Sequence, residues 1–208
     1  MRESTAAVLL FEGFEELDAL GPYDVLSTAA GEGVGLSIVE QVTVDGAERV
    51  TASEGTVVVP HGRLDPADPP DYLVVPGGGW STGSESGARA AADSDTICSA
   101  IRDCHADGTT VASVCTGAMI LASAGLLAGR PATTHHTAIA DLAATDARPV
   151  DARIVDDGDV LTAGGVTAGI DLALWLVERE WGSDIATAVA ETLEYERSTD
   201  IYRSGDDS

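Results

Sequence analysis

Two rhythms of hydrophobic residues alternate along this chain. AAVLLF (6–11) is an unbroken apolar run and DYLVV (71–75) is nearly one; both predict strands buried on both faces, as in a parallel sheet. GLSIVEQV (35–42) and TTVASV (109–114) predict two further strands. Between them lie longer stretches in which apolar residues recur every three or four positions. EELDALGPYDVLSTAA (15–30), residues 88–106, TGAMILASAGLL (116–127), TAGIDLALWLVEREWG (167–182) and SDIATAVAETLEY (183–195) all predict helices. The first is expected to break near Gly21-Pro22, and the last to start on Ser183 as N-cap. TASEGTVVVPHGRL (51–64) predicts a turn and a short β arm. DARIVDDGDVLTAGG (151–165) predicts two strands joined at Asp157-Gly158. Residues from about 198 to 208 carry no pattern and are expected to be loose.

Strands alternating with helices predict an α/β three-layer sandwich, with a mainly parallel sheet and helices on both faces. A chain of 208 residues without repeats or linkers fits one domain, residues 1–208. In such a sheet ligands bind beyond the carboxyl ends of the strands. Three segments fall there: FEELD (14–18), PGGG (76–79) and SVCTG (113–117).

Charge narrows the partners. Asp and Glu number 35 against 11 basic residues, all of them arginine, for a net charge of −24. Such a surface repels nucleic acid and anionic membranes, and neither is expected as a partner. The acids are scattered singly, which suits a halophilic protein kept soluble in concentrated salt, where self-repulsion is screened. Three cysteines without CxxC predict neither a disulfide framework nor a zinc site. No apolar run has signal-peptide or transmembrane character, so a cytoplasmic location is expected.

Cys115 follows an apolar strand and precedes a helix. A tight strand-to-helix turn projects a side chain, and the helix N-terminus offers free N–H groups and a field that favours a thiolate. Ser113-Val114-Cys115-Thr116-Gly117 has the spacing of the serine nucleophile elbow, with small residues on both flanks. A buried structural thiol fits the same spacing equally well, and that is the expectation for Cys98 and Cys104. The glycines of PGGG can present backbone N–H groups to a developing anion, or simply turn the chain. Glu15, Glu16 and Asp18 each could set a carboxyl beside the thiol, or merely complement a helix dipole. Spacing does not choose among the three. His61, His105, His135 and His136 form no metal-ligand pattern, and neither metal nor cofactor is expected.

FEELDALGPYDVL, DYLVVPGGG, SVCTGAMILASAGLLAGRPATTHH and LTAGGVTAGIDLALWL together resemble the ThiJ/PfpI superfamily, over about residues 6–196. Within it they are most similar to the isonitrile hydratase branch. The resemblance implies a glutamine-amidotransferase-like (flavodoxin-like) fold with a nucleophile elbow. It implies a cofactor-free thiol enzyme that hydrates an isonitrile to an N-substituted formamide. By position, Cys115 is the nucleophile and Asp18 its acid. The N–H groups of Gly78 and Thr116 form the oxyanion-type hole. Gly77, Gly79, His135, Gly165 and Val166 line the substrate pocket. Threonine follows the cysteine where peptidase-like members carry histidine, which argues against peptidase activity. Ala163 stands where the hydratase branch has a third glycine, and His136 where it has an aromatic residue. The resemblance also implies a homodimer acting on a small molecule, without the helix-turn-helix region of related regulators. Two rival readings are another thiol enzyme, glyoxalase-like or amidase, and a non-catalytic redox sensor built on Cys115.

Overall fold

The computed structural model describes residues 3–81 and 86–205. In chain order the strands are β1 (Ser4–Leu9), β2 (Leu36–Thr43), β3 (Val50–Thr51), β4 (Val57–Val58), β5 (Gly62–Arg63), β6 (Tyr72–Val75), β7 (Thr110–Val114), β8 (Pro131–Ala132), β9 (Arg148–Pro149), β10 (Ile154–Asp156), β11 (Val160–Ala163) and β12 (Ile201–Arg203). The helices are α1 (Glu16–Gly31), α2 (Ala88–Ala92), α3 (Asp95–Ala106), α4 (Gly117–Ser123), α5 (Ile139–Ala143), α6 (Ala168–Trp181) and α7 (Ser183–Thr192).

One eight-stranded sheet runs in the order β12-β10-β11-β7-β6-β1-β2-β5. Every neighbouring pair is parallel except β10 and β11, the predicted hairpin. Its central strands are apolar and fully covered: Val8, Leu9, Leu73, Val75, Val111 and Val114 are all buried. This is the mainly parallel α/β architecture that the unbroken apolar runs demand, because a strand buried on both faces cannot alternate with polar residues.

Three local expectations are corrected. Helix α1 runs straight through Gly21 and Pro22. A Cβ on Gly21 would lie 3.0 Å from Ile170 of α6, so the two helices pack closely there. That packing outweighs the roughly 3 kcal/mol that an interior proline costs a helix. The helix expected over 88–106 is two, because the Ser94 side chain accepts from the Ile97 N–H and starts α3 afresh. Ser183 is the first residue of α7 rather than its cap; Gly182 holds that position with no side-chain bond.

The segment expected to be loose after residue 198 instead ends in β12, parallel to β10 at the sheet edge. Asp171, buried on α6, holds it there. Its carboxylate accepts from Arg153 Nε (2.7 Å), Tyr195 Oη (2.9 Å) and the Ser198 N–H (2.7 Å). Residues 206–208 of that expectation lie outside the described residues. No helix among the described residues is long and apolar enough to cross a membrane.

Candidate active site

The carboxyl ends of four adjacent strands, β11, β7, β6 and β1, bring four segments together. Cys115 leaves β7, Gly77–Gly79 leave β6, the loop to α1 leaves β1, and Gly164–Val166 leave β11.

Cys115 sits at φ +57°, the left-handed region that a side chain rarely adopts. Such a conformation costs about 1–3 kcal/mol and persists only where its surroundings fix it. Here they do. The Cys115 N–H donates to the carbonyls of Ala163 (3.1 Å) and Gly164 (2.8 Å). Its own carbonyl accepts from Thr134 Oγ1 at 2.9 Å. The elbow also needs neighbours without side chains. A Cβ on Gly77 would lie 2.5 Å from the Thr116 N, and one on Gly117 would lie 2.3 Å from the Val75 carbonyl oxygen. The two strand ends therefore touch backbone to backbone.

The three acids at the start of α1 separate into three roles. Glu15 is the N-cap: its carboxylate accepts from the Asp18 N–H at 2.8 Å. Glu16 turns away and ties the β3–β4 hairpin, accepting from Ser53 Oγ (3.1 Å) and the Glu54 N–H (3.0 Å). Asp18 alone points inward and has no exposed surface. Its Oδ2 accepts from the Gly77 N–H at 3.0 Å. Its Oδ1 is buried without a hydrogen-bond partner. The Cys115 thiol is near enough for each group to shift the other's ionisation.

Burial pushes the Asp18 carboxyl up to about 8, and the negative charge of Glu15 adds to it; the Gly77 N–H opposes both. Asp18 is therefore largely protonated at neutral pH, like other carboxyls held in dry sites. The thiol does not behave as the helix field alone suggests. Burial pushes Cys115 up to about 12, and the charge of Asp18 pushes the same way. The N–H groups of Thr116 and Val166, aimed at the sulfur, pull it down but do not win. The Asp18 contribution exists only while that carboxyl is ionised. Protonating Asp18 removes it, so the two groups titrate as an interacting pair.

The glycine loop is more occupied than its sequence suggests. The Gly78 N–H donates to Thr116 Oγ1 at 3.0 Å, and the Gly77 N–H is taken by Asp18. The Thr116 and Val166 N–H groups are the ones that face the sulfur. Gly79 joins Gly78 and Glu15 along a neighbouring cavity of about 380 Å³. His135 lies over Gly165, where a Cβ would meet its ring at 2.4 Å. Its Nδ1 pairs with Thr137 Oγ1 at 2.8 Å, and its ring lies against that of His136 at a 40° tilt, with centroids 4.2 Å apart. Burial, then the charge of His136, lowers its pKa, which keeps it neutral. No hydrogen bond among the described residues joins it to Cys115.

Sequence reasoning did not find Thr134, the donor that fixes the elbow carbonyl, or the N–H of Val166 as a partner of the sulfur. Neither has a spacing signal, because both arrive from segments distant in sequence. Among the described residues no group of three or more His, Cys, Asp or Glu could hold a metal ion.

Comparisons with known proteins give the family. The model of the DJ-1/PfpI family matches residues 4–179. The isonitrile hydratase of Pseudomonas putida is 37% identical over 187 residues, covering 90% of this chain and 76% of the relative. The Parkinson disease protein 7 homolog of Danio rerio is 28% identical, over 93% of this chain and 98% of its own. Among solved structures, a ThiJ/PfpI family protein from Pseudomonas syringae superposes with a TM-score of 0.79 at 29% identity, over 95% of this chain and 77% of that one. The chain belongs to the DJ-1/PfpI family.

Proposed function

We propose that the protein is an isonitrile hydratase-like enzyme, converting R–NC and water to an N-substituted formamide. The observation that carries this reading is the pairing of a strained, backbone-fixed Cys115 with a buried Asp18 whose carboxyl holds its proton at neutral pH. The likeness to the Pseudomonas putida isonitrile hydratase supports it.

The chemistry needs a nucleophile for a carbon that carries no proton, and an acid beside it. Asp18 gives its proton to the terminal carbon of the isonitrile as the Cys115 sulfur attacks that carbon, and the thiol proton passes to the Asp18 carboxyl; the S–H bond breaks as the C–S and C–H bonds form, leaving a thioimidate on the sulfur. Water adds to the thioimidate carbon, and Asp18 protonates the nitrogen as it takes one water proton. Collapse of the adduct breaks the C–S bond, the remaining hydroxyl proton reaches the sulfur through Asp18, and the formamide leaves. Thiol and carboxyl end as they began.

Oδ1 of Asp18, lacking any other partner, is the oxygen free to carry the proton. Thr116 and Val166 present their N–H groups to the sulfur as thiolate. Gly78 can serve as an oxyanion donor only once its N–H is released by Thr116 Oγ1. Gly165, Val166 and neutral His135 are taken as the walls of the substrate pocket, while Gly77 closes on Thr116 and Gly79 lines the neighbouring cavity. A sensor reading fits less well, because Cys115 is only 7% exposed, whereas an oxidation-prone thiol is open to solvent.

The same reading takes the protein as a homodimer acting on a small molecule. An apolar hollow of about 290 Å³ between α1 and α6, formed in part by Leu17, Leu20, Val25 and Ile170, supports it, and sedimentation tests it.

The reaction class is tested by incubating the protein separately with an aryl isonitrile, methylglyoxal and a simple amide. Formyl-proton NMR signals from the isonitrile alone are expected. Loss of methylglyoxal with no formyl product would move the reading to a glyoxalase-like enzyme.

A further inference from the structure

A second cavity lies behind the glycine loop, at the carboxyl end of β1 and β2. Its volume is about 420 Å³. Cys115, Asp18, Thr116 and His135 do not line it. It is separated from them by the backbone: the Gly87 N–H donates to the Glu12 carbonyl at 2.8 Å, and the Ala88 N–H to the Gly78 carbonyl at 2.6 Å.

Three features of its wall bear on what it could hold. The floor is apolar, from Leu10, Phe11, Val44 and Val50, all buried. The rim carries two exposed carboxylates, Glu12 and Asp45, while no arginine or histidine among the described residues lines the cavity. Glu12 accepts from the Thr51 N–H at 3.2 Å and Asp45 from the Ala47 N–H at 3.1 Å. A carboxylate can accept several more. Finally, Thr43 also lines this cavity, is only 2% exposed, and its Oγ1 has no hydrogen-bond partner. A buried hydroxyl left unpaired is destabilising, and a ligand that bonds it relieves that. The α3 N-terminus nearby is capped by Ser94, so it offers little to an anion.

We propose that this cavity is a second small-molecule site, for a compact amphipathic amine whose apolar body fills the floor and whose ammonium meets Glu12 and Asp45, with Thr43 Oγ1 bonded to a polar atom of the ligand. Pockets of this size and make-up are typical of ligand sites: apolar, concave, with a few polar groups that set orientation. The assignment is independent of the reaction at Cys115.

The test titrates benzylamine, benzyl alcohol and benzoate, following the methyl NMR signals of Val44 and Val50. Benzylamine is expected to shift them at millimolar concentration, benzyl alcohol about tenfold more weakly, and benzoate not at all. Ala90 is exposed on the cavity wall, so Ala90→Trp fills the space without disturbing the core or the net charge. It is expected to abolish the shifts. Glu12→Gln should weaken benzylamine about tenfold and leave benzyl alcohol unchanged. Thr43→Val should melt no lower than wild type, because it removes an unpaired hydroxyl. Shifts that persist in Ala90→Trp, benzoate binding as tightly as benzylamine, or no shift with any probe would overturn the proposal.

Discussion

Cys115 and Cys104 are both buried, and burial raises the pKa of both, to about 12 and about 11. Their surroundings otherwise have little in common. Cys104 lies in the last turn of α3, among core side chains, in helical backbone. Its neighbour Cys98 spends its thiol on the Ala92 carbonyl at 3.4 Å. Cys115 sits in strained backbone, with two N–H groups on its sulfur and a protonated carboxyl beside it. The comparison teaches that a raised thiol pKa does not mark a cysteine as inert. What separates the two regions is whether the surroundings can hold a charge once a proton moves. The elbow can, through N–H groups and the Asp18 carboxyl; the core around Cys104 cannot.

The sharpest break of that comparison is substitution of each cysteine in turn. Cys115→Ala is expected to abolish formamide production with the fold retained. Cys98→Ala and Cys104→Ala should keep full turnover and lose about 1 kcal/mol of stability, as small core truncations do. Urea unfolding and product assays on the three variants check this.

Next comes Asp18→Asn, expected to slow turnover roughly a hundredfold or more, because asparagine accepts and donates but cannot transfer the proton. Wild-type turnover should fall as pH rises through about 8, where Asp18 loses its proton. The stability effect runs in the same direction. A folded-state carboxyl pKa raised above its unfolded value means the folded form holds the proton longer. Folding stability then declines as pH climbs from the unfolded value, about 4, to the folded one. Asp18→Asn escapes that decline, so it should melt higher than wild type at about pH 9 and similarly at about pH 4. Thermal melts at the two pH values decide it.

Smaller still, Thr134→Val strips the donor from the Cys115 carbonyl. It should cost about 1–3 kcal/mol and slow turnover by loosening the elbow. Circular-dichroism melts and turnover rates of that variant check it. The smallest effect concerns the acidic surface. With a net charge of −24, the melting temperature is expected to rise between about 0.1 M and about 2 M KCl as self-repulsion is screened. An unchanged melting temperature would count against a halophilic design.

Much of the frame was legible from residues alone. Unbroken apolar runs report strands buried on both faces, and the Asp157-Gly158 turn between β10 and β11 is set by two residues. What escaped depended on contacts across the molecule. Pro22 reads as a break, yet α6 packs against α1 closely enough to keep the helix whole. Ile201–Arg203 is too short for a pattern, and becomes a strand because Asp171, Arg153 and Tyr195 anchor the chain leading to it. At the site, Cys115 and its small flanks were visible as an elbow. The division of labour among Glu15, Glu16 and Asp18 was not visible in spacing. It follows from which carboxyl the helix start buries, and only the resemblance to the family anticipated it.

The most direct test of the account is the rate of formamide formation from one aryl isonitrile in about 2 M KCl, with wild type and Cys115→Ala side by side. The account predicts product from wild type and only the uncatalysed background from the variant. Equal rates from the two folded proteins would contradict it.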